Sequence, residues 1–217
     1  MSKLVDVSHT VEHGMITYKG LPAPLISDFL SREESRGRYA SGTEFHIGKI
    51  EMVANTGTYL DSPFHRYARG KDLAALDLYS IANLDGVVVH VSGREISEES
   101  FSGIEVQGKA VLVHTGWDKH WRTEDYSNGN HPFLNEAAAT HLAKSGAALV
   151  GIDSFNIDAT HDGHRPAHTI LLGHDIPIVE HLCGLEDLPD SDFKFFAVPV
   201  KVRQFGTFPV RAFAIVN

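Results

Sequence analysis

The stretch of this chain best suited to chemistry is residues 55–65, which read Asn-Thr-Gly-Thr-Tyr-Leu-Asp-Ser-Pro-Phe-His. If its first seven residues form a strand, alternate side chains point the same way, so Asn55, Tyr59 and Asp61 share a face. The following proline cannot continue a hydrogen-bonded ladder, and His65 then falls in a loop beyond the strand. Polar groups on one face of a strand beside a loop imidazole are a common catalytic arrangement. An edge strand with solvated polar residues is the alternative.

Residues 55–65 resemble the His-x-Gly-Thr-His-x-Asp-x-Pro-x-His motif of the cyclase family, whose best-known members are bacterial kynurenine formamidases. The motif's first two histidines correspond to Asn55 and Tyr59 in this chain. The positions that match the motif are Gly57, Thr58, Asp61, Pro63 and His65. Two further stretches, 167–173 and 176–182, also look like the family's, and the resemblance covers nearly the whole chain.

The resemblance implies a single domain over residues 1–217 with the family's α/β fold, a three-layer β/β/α sandwich with a mixed sheet. It also implies a metal site in which Asp61 is joined by His168 and Glu180. His65 keeps the position of the family's catalytic histidine and is expected to shuttle protons. The implied activity is hydrolysis of an amide, formamide or cyclic amide or ester bond of a small-molecule substrate, as in arylformamidases. Family members are dimers or tetramers, so a homodimer or homotetramer is expected.

The residues around His168 and Glu180 are compatible with this ligand set. Pro166 suits the first position of a helix, which places His168 in the first turn. A short turn after the helix lets the chain return as a strand that ends at Glu180, near the helix start. Asp61, His168 and Glu180 would then offer one imidazole and two carboxylates, with positions left for water. Taken singly, each of the three also has an ordinary structural explanation.

Asn55 and Tyr59 change the metal chemistry expected of the site. Without two nitrogen ligands, one divalent ion (zinc or manganese) is expected rather than two, and a site without metal remains open. The amide oxygen of Asn55 suits harder ions such as Mn²⁺. Tyr59, a phenol with a pKa of about 10, suits hydrogen bonding, and both residues are expected to orient water or substrate. His161 or His164 could replace a lost ligand, or both could be solvated in a turn.

Asp153 and Ser154 are further candidates for orienting water or substrate. They follow the apolar stretch 149–152, which reads as a buried strand. Ligand-contacting groups in α/β folds lie at the carboxyl ends of such strands. Capping of the backbone by the same two side chains is an equally good explanation.

Composition limits the class of protein. The 217 residues suit one domain, and the net charge of -9 argues against nucleic acid or an anionic membrane as partner. No apolar run is long enough to predict a transmembrane span, and the start of the chain does not resemble a signal peptide. One cysteine, Cys183, permits no internal disulfide, so a cytoplasmic location is expected.

The remaining pattern predicts the elements that position these groups. Apolar strands at 111–113 and 149–152 flank a helix over 136–145, with Asn135 as N-cap and Gly146 after its end, which indicates a parallel βαβ crossover. Further strands are predicted at 45–54 (with a bulge near Gly48), 87–91, 193–202 and 210–216. Residues 21–42 are predicted to be a loop and short helix that cover the site or contact a neighbouring subunit.

Two functions from different classes follow from these observations. The first is a metal-dependent hydrolase, with His65 as proton shuttle. The second is a metal-free small-molecule binding protein derived from the hydrolase fold, suggested by Asn55 and Tyr59. Retention of all four remaining motif residues favours catalysis: Asp61, His65, His168 and Glu180. A metal-free hydrolase that uses His65 and a carboxylate is a third possibility.

Overall fold

The chain is built around one long mixed sheet, which the computed structural model describes together with its helices over residues 2–216. In chain order the strands are β1 (Lys3–Asp6), β2 (Leu25–Leu30), β3 (Ile47–Glu51), β4 (Tyr59–Asp61), β5 (Leu84–His90), β6 (Glu95–Ile96), β7 (Ala110–His114), β8 (Phe133–Leu134), β9 (Leu149–Ile152), β10 (Ile178–Glu180), β11 (Phe193–Phe196), β12 (Thr207–Pro209) and β13 (Phe213–Val216). The α-helices are α1 (Arg32–Ser35), α2 (Glu136–Lys144) and α3 (Pro166–Gly173). Short 3₁₀ turns cover Pro63–His65, Leu78–Ser80, Glu98–Phe101, Asp118–His120, Glu124–Ser127 and Leu185–Asp187.

Nine strands form the sheet, in the spatial order β1-β13-β11-β5-β7-β9-β10-β4-β12. The central strands β5, β7, β9 and β10 are parallel, and the outer strands are antiparallel to their neighbours. The predicted crossover is confirmed, because α2 connects the parallel strands β7 and β9. Asn135 caps α2 by accepting the Ala138 N–H at 2.9 Å, and Gly146 follows the helix with φ +76°.

The two faces of the sheet pack against different layers. One face carries the apolar core that α2 and α3 cover. On the other face, residues from both ends of the sheet, such as Val5 and Leu60, pack with central residues such as Leu112. The sheet therefore curls over itself and encloses a second core between two β layers. The predicted α/β fold with a mixed sheet is confirmed.

Several predicted boundaries are wrong. Residues 55–58 do not continue β4, because Gly57 adopts φ +66°, in the left-handed region that interrupts a strand. Residues 25–30 form a strand, although only a loop and short helix were predicted there. The strands predicted at 193–202 and 210–216 shorten to β11 and β13. The bulge near Gly48 is present as a register shift opposite that residue, with the extra residue on β2.

Strands β2 and β3 form a separate two-stranded sheet, which we call the arm together with the residues that connect them (25–51). The arm contains α1, capped by Ser31 and Glu34. Large apolar side chains on it are exposed: Leu25, Ile26, Phe29, Tyr39, Phe45, Ile47 and Ile50.

The longest of the described helices, α2, has nine residues, and no helix within residues 2–216 could cross a membrane.

Candidate functional site

The site is organised by β4, which lies between β10 and β12. Tyr59 on β4 is directly opposite Glu180 on β10, and Asp61 is directly opposite Thr207 on β12. Directly opposite residues of an antiparallel pair project to the same face, so these four side chains point to one side of the sheet. Leu60, between them in sequence, points into the curled core.

This side of the sheet opens into a cavity of about 340 Å³. Its walls come from β4, β10, the loop after β9, the start of α3 and the turn that carries His65. The residues that line it are Tyr18, Leu21, Asn55, Tyr59, His65, Arg66, Asn156, Gly163, His164, Arg165, His168 and Glu180.

His168 is oriented by a carboxylate at the start of α3. Asp158 accepts hydrogen bonds from the backbone N–H groups of Ala167 and His168, at 2.7 and 3.0 Å, and from Nδ1 of His168 at 2.6 Å. Because the carboxylate acts as an acceptor, Nδ1 carries a proton and Nε2 is turned towards the cavity. Nε2 lies 3.7 Å from Oδ2 of Asp61 and 3.7 Å from Oε1 of Glu180. A carboxylate that holds the far nitrogen of an imidazole is typical of histidines that bind metals.

Asp61 presents one free oxygen to this imidazole. Its Oδ1 accepts a hydrogen bond from the Thr207 hydroxyl, whereas its buried Oδ2 has no hydrogen-bond partner within residues 2–216. An unpartnered buried carboxylate oxygen is costly unless a cation or ligand occupies the space beside it. Donor atoms of Asp61, His65 and His168 all lie within 4.8 Å of one another. These oxygen and nitrogen donors fit a divalent ion such as zinc or manganese.

His65 is held by the same threonine. The single hydroxyl proton of Thr207 is donated to Asp61, so Thr207 Oγ1 accepts from Nδ1–H of His65 at 2.8 Å. In the neutral ring with this tautomer, Nε2 is the nitrogen that carries no proton. The ring is partly exposed and lines the cavity, so Nε2 is placed to accept a proton from a molecule bound there.

Both oxygens of Glu180 are hydrogen-bonded within the protein. Oε2 accepts from the Tyr59 hydroxyl at 2.5 Å, and Oε1 accepts from the Ile157 N–H at 2.7 Å. Burial raises the pKa of Glu180, and burial followed by the nearby Glu180 charge raises the pKa of Tyr59 well above its usual range. Tyr59 is therefore a neutral phenol that donates to Glu180. Asn156 and the Tyr18 hydroxyl complete this polar network.

The charges around His168 oppose the effect of its burial. Burial alone would lower the pKa of His168, but the hydrogen bond to Asp158 and the carboxylates of Asp61 and Glu180 outweigh it and raise the pKa to about 10. In the metal-free protein, Nε2 is therefore protonated at neutral pH and faces two carboxylates. A metal ion bound to Nε2 would have to displace that proton.

The other candidate residues lie in different environments. Asn55 lines the cavity. His164 lines its rim and bonds Asp162 at 2.9 Å, whereas His161 borders a separate cavity near Phe133.

Asp153 and Ser154 are not among the described residues that line the cavity. Asp153 accepts hydrogen bonds from Thr115 and the Gly116 N–H, and Ser154 donates to the carbonyl of Pro132 at 2.6 Å. Both side chains hold neighbouring loops in place through these hydrogen bonds. This is a structural role like the backbone capping considered for them from the sequence. Burial raises the pKa of Asp153 to about 6 despite these hydrogen bonds.

Sequence reasoning missed four groups that the geometry brings into the site: Thr207, Tyr18, Arg66 and Arg165. Thr207 and Tyr18 lie in no recognisable motif. Asp158 and Asn156 follow β9, at the carboxyl end of a parallel strand, where ligand-contacting groups are expected. That rule identifies the loop after β9, but it does not show that Asp158 contacts His168 whereas Asp153 contacts Thr115.

A comparison with family models decides the family. The model of the Cyclase family matches residues 5–159. The chain belongs to this family. Two kynurenine formamidases are similar to this cyclase-family chain over 97% of its length and 96% of theirs: that of Bacillus cytotoxicus at 27% identity and that of Bacillus cereus at 28%.

Solved structures agree with the fold of this cyclase-family chain. Isatin hydrolase A from Labrenzia aggregata superposes with a TM-score of 0.84 at 21% identity, over 99% of this chain and 94% of that one. A structure described as a potential metal-dependent hydrolase with cyclase activity superposes with a TM-score of 0.81 at 25% identity, over 100% and 99% of the two chains.

The protonation of His168 predicts that metal binding releases a proton. Below pH 10 the Nε2 proton must leave before an ion can bind, so affinity for Mn²⁺ or Zn²⁺ should fall about tenfold for each unit of decreasing pH. Calorimetric titration at pH 7 in buffers of different ionisation enthalpy measures this release, and we expect about one proton per chain. His168→Gln is the control and should show neither tight binding nor release. Tight binding to the unaltered chain without proton release would contradict the ligand assignment.

Proposed function

We propose that this chain is a metal-dependent hydrolase of amide, formamide or cyclic amide or ester bonds, with an arylformamidase-like activity. The observation that carries the proposal is the cluster of Asp61, His65 and His168 around a buried carboxylate oxygen without a partner. The cluster adjoins a cavity large enough for a small aromatic substrate.

The relatives support this class of reaction. Kynurenine formamidases are named for cleaving a formamide, and isatin hydrolases for opening isatin, a cyclic amide. Both reactions add water across a carbonyl–nitrogen bond, and both need an activated water and a proton for the leaving nitrogen.

A divalent ion, zinc or manganese, would be held by Asp61 and His168, with Glu180 and His65 nearest to them. When bound, such an ion lowers the pKa of a water ligand and polarises a carbonyl. Both oxygens of Glu180 already accept protein hydrogen bonds, so Glu180 would keep at least one of them while it faces the ion.

The proposed proton carrier is His65. Its bare Nε2 accepts a proton from the attacking water and returns it to the leaving nitrogen, while Thr207 holds Nδ1. Thr207 also bonds Asp61, so the proton carrier and a metal ligand share one anchor. Asn55, on the cavity wall, is proposed to orient water or substrate.

Replacing His65 separates a proton carrier from a metal ligand. We expect His65→Gln to lower kcat for a formanilide substrate by about a hundredfold to ten-thousandfold while the metal content per chain is unchanged. His174→Gln, at the far end of α3, is the matched control and should leave both unaffected. If His65→Gln lost both the metal and the activity, His65 would be a metal ligand and not the proton carrier proposed here.

We propose in addition that the arm joins two copies of this chain. A two-stranded sheet is marginally stable alone, and this one exposes seven large apolar side chains. Residues 25–51 carry four basic and five acidic side chains, so the arm is nearly neutral in a chain of net charge -9. Two copies can therefore meet there with little charge repulsion.

Light scattering after size-exclusion chromatography tests whether the arm joins two copies of the chain. We expect a mass of at least twice the 23.8 kDa of one chain. Phe29→Glu should lower that mass because it places a charge in the apolar contact. Tyr79→Glu, exposed outside the arm, should not change the mass. A mass of 23.8 kDa for the unaltered chain would contradict the proposal.

A further inference from the structure

Two arginine residues line the cavity beside the candidate metal site. Arg66 directly follows His65, and Arg165 directly precedes Pro166, at the N-cap of the helix that carries His168. The two arginines therefore come from different elements, yet both line the same cavity.

Neither arginine is neutralised by the protein. Arg66 Nε donates to Thr169 Oγ1 at 3.3 Å, and the guanidinium lies over the Tyr67 ring, 5.3 Å from its centroid. The Arg165 guanidinium makes long contacts to three uncharged oxygens, the carbonyls of Ala159 and Thr160 at 3.3 and 3.4 Å and Oδ1 of Asn156 at 3.5 Å. Within residues 2–216, neither forms an ion pair with a carboxylate. The sequence holds 28 acidic and 19 basic residues, so an acidic partner is not scarce.

The backbone of Arg165 adds an independent observation. Its φ of +51° and ψ of +59° lie in the left-handed region, where a glycine would be unstrained. An arginine at this position therefore carries a backbone cost, and a ligand bound to its guanidinium would offset part of that cost.

The charges of the cavity are segregated. The carboxylates of Glu180, which lines the cavity, and of Asp61, beside His168, are buried, whereas Arg66 and Arg165 line the same cavity and are more exposed. Arginine binds carboxylates through paired N–H donors. We propose that Arg66 and Arg165 make the hydrolase selective for amides that carry a second, anionic group, a carboxylate. This inference rests on the proposed hydrolase function and names its substrate class.

The test compares kcat/KM for 2-formamidobenzoate, which is anionic, with that for formanilide, which is neutral. We expect the unaltered enzyme to favour the anion. Arg66→Gln and Arg165→Gln should each lower the ratio of the two constants by about tenfold to a hundredfold, the effect of losing a charged hydrogen bond. Arg66→Lys should restore part of the ratio. Arg69→Gln, three residues from Arg66 and lining another cavity, should leave it unchanged.

Arg165→Gly is a second variant that removes the guanidinium and is expected to fold normally. Glycine accepts the φ of +51° without strain, so this variant should unfold at the same or a higher temperature than the unaltered chain. It should still lose the preference for the anionic substrate. An unchanged ratio in both Arg66→Gln and Arg165→Gly would overturn the proposal. An equal fall for both substrates would also overturn it, because the arginines would then act on the amide group that the two substrates share.

A binding measurement tests the anion site even if the proposed hydrolase function is wrong. If the unaltered chain hydrolyses neither compound, the hydrolase proposal fails, and calorimetric titration with 2-formamidobenzoate and formanilide then decides the anion site. Tighter binding of the anion, lost in Arg165→Gly, would support the site. Equal binding of the two compounds would overturn it.

Discussion

The hydrogen bonds of Asp158 fix the geometry on which the candidate site depends. One carboxylate accepts two backbone N–H groups at the start of α3 and the Nδ1 proton of His168. It therefore satisfies a helix N-terminus and selects the imidazole tautomer at the same time. Because Nδ1 of His168 donates to Asp158, Nε2 points between Asp61 and Glu180. The carboxylate of Asp158 therefore determines which atom of His168 the carboxylates of Asp61 and Glu180 face. An alanine at position 158 would leave the two backbone N–H groups at the start of α3 and Nδ1 of His168 without this acceptor.

Tyr59 supports Glu180 through a hydrogen bond inside the site. Burial keeps Tyr59 neutral, and its hydroxyl donates to Glu180 across the β4–β10 pair. The carboxylates of Asp61 and Glu180 both face the protonated His168 in the metal-free protein, so its positive charge offsets part of their negative charge. An ion competes with this proton for the same nitrogen.

Local signals in the sequence predicted the parts of the fold whose causes are local. Pro166 and Asn135 mark the starts of α3 and α2 because their chemistry suits those positions. Thr207 could not be found this way, because it meets Asp61 only after β12 pairs with β4. The arm strand 25–30 was missed because its apolar residues are exposed and follow no alternation. The family motif located Asp61 and His168, whereas the assignment of a proton to Nδ1 of His65 needed the three-dimensional contacts.

Metal content measured together with activity tests the central claim most directly. The purified chain would be analysed for zinc, manganese and related ions before and after chelation, and assayed each time with a formanilide substrate. The account predicts about one ion per chain, loss of hydrolysis on chelation and recovery when the ion is restored, with Asp61→Asn and His168→Ala unable to recover. Hydrolysis that persists in the metal-free chain would contradict it. A chain that takes up no ion and cleaves no amide would instead be a small-molecule binding protein on a hydrolase fold.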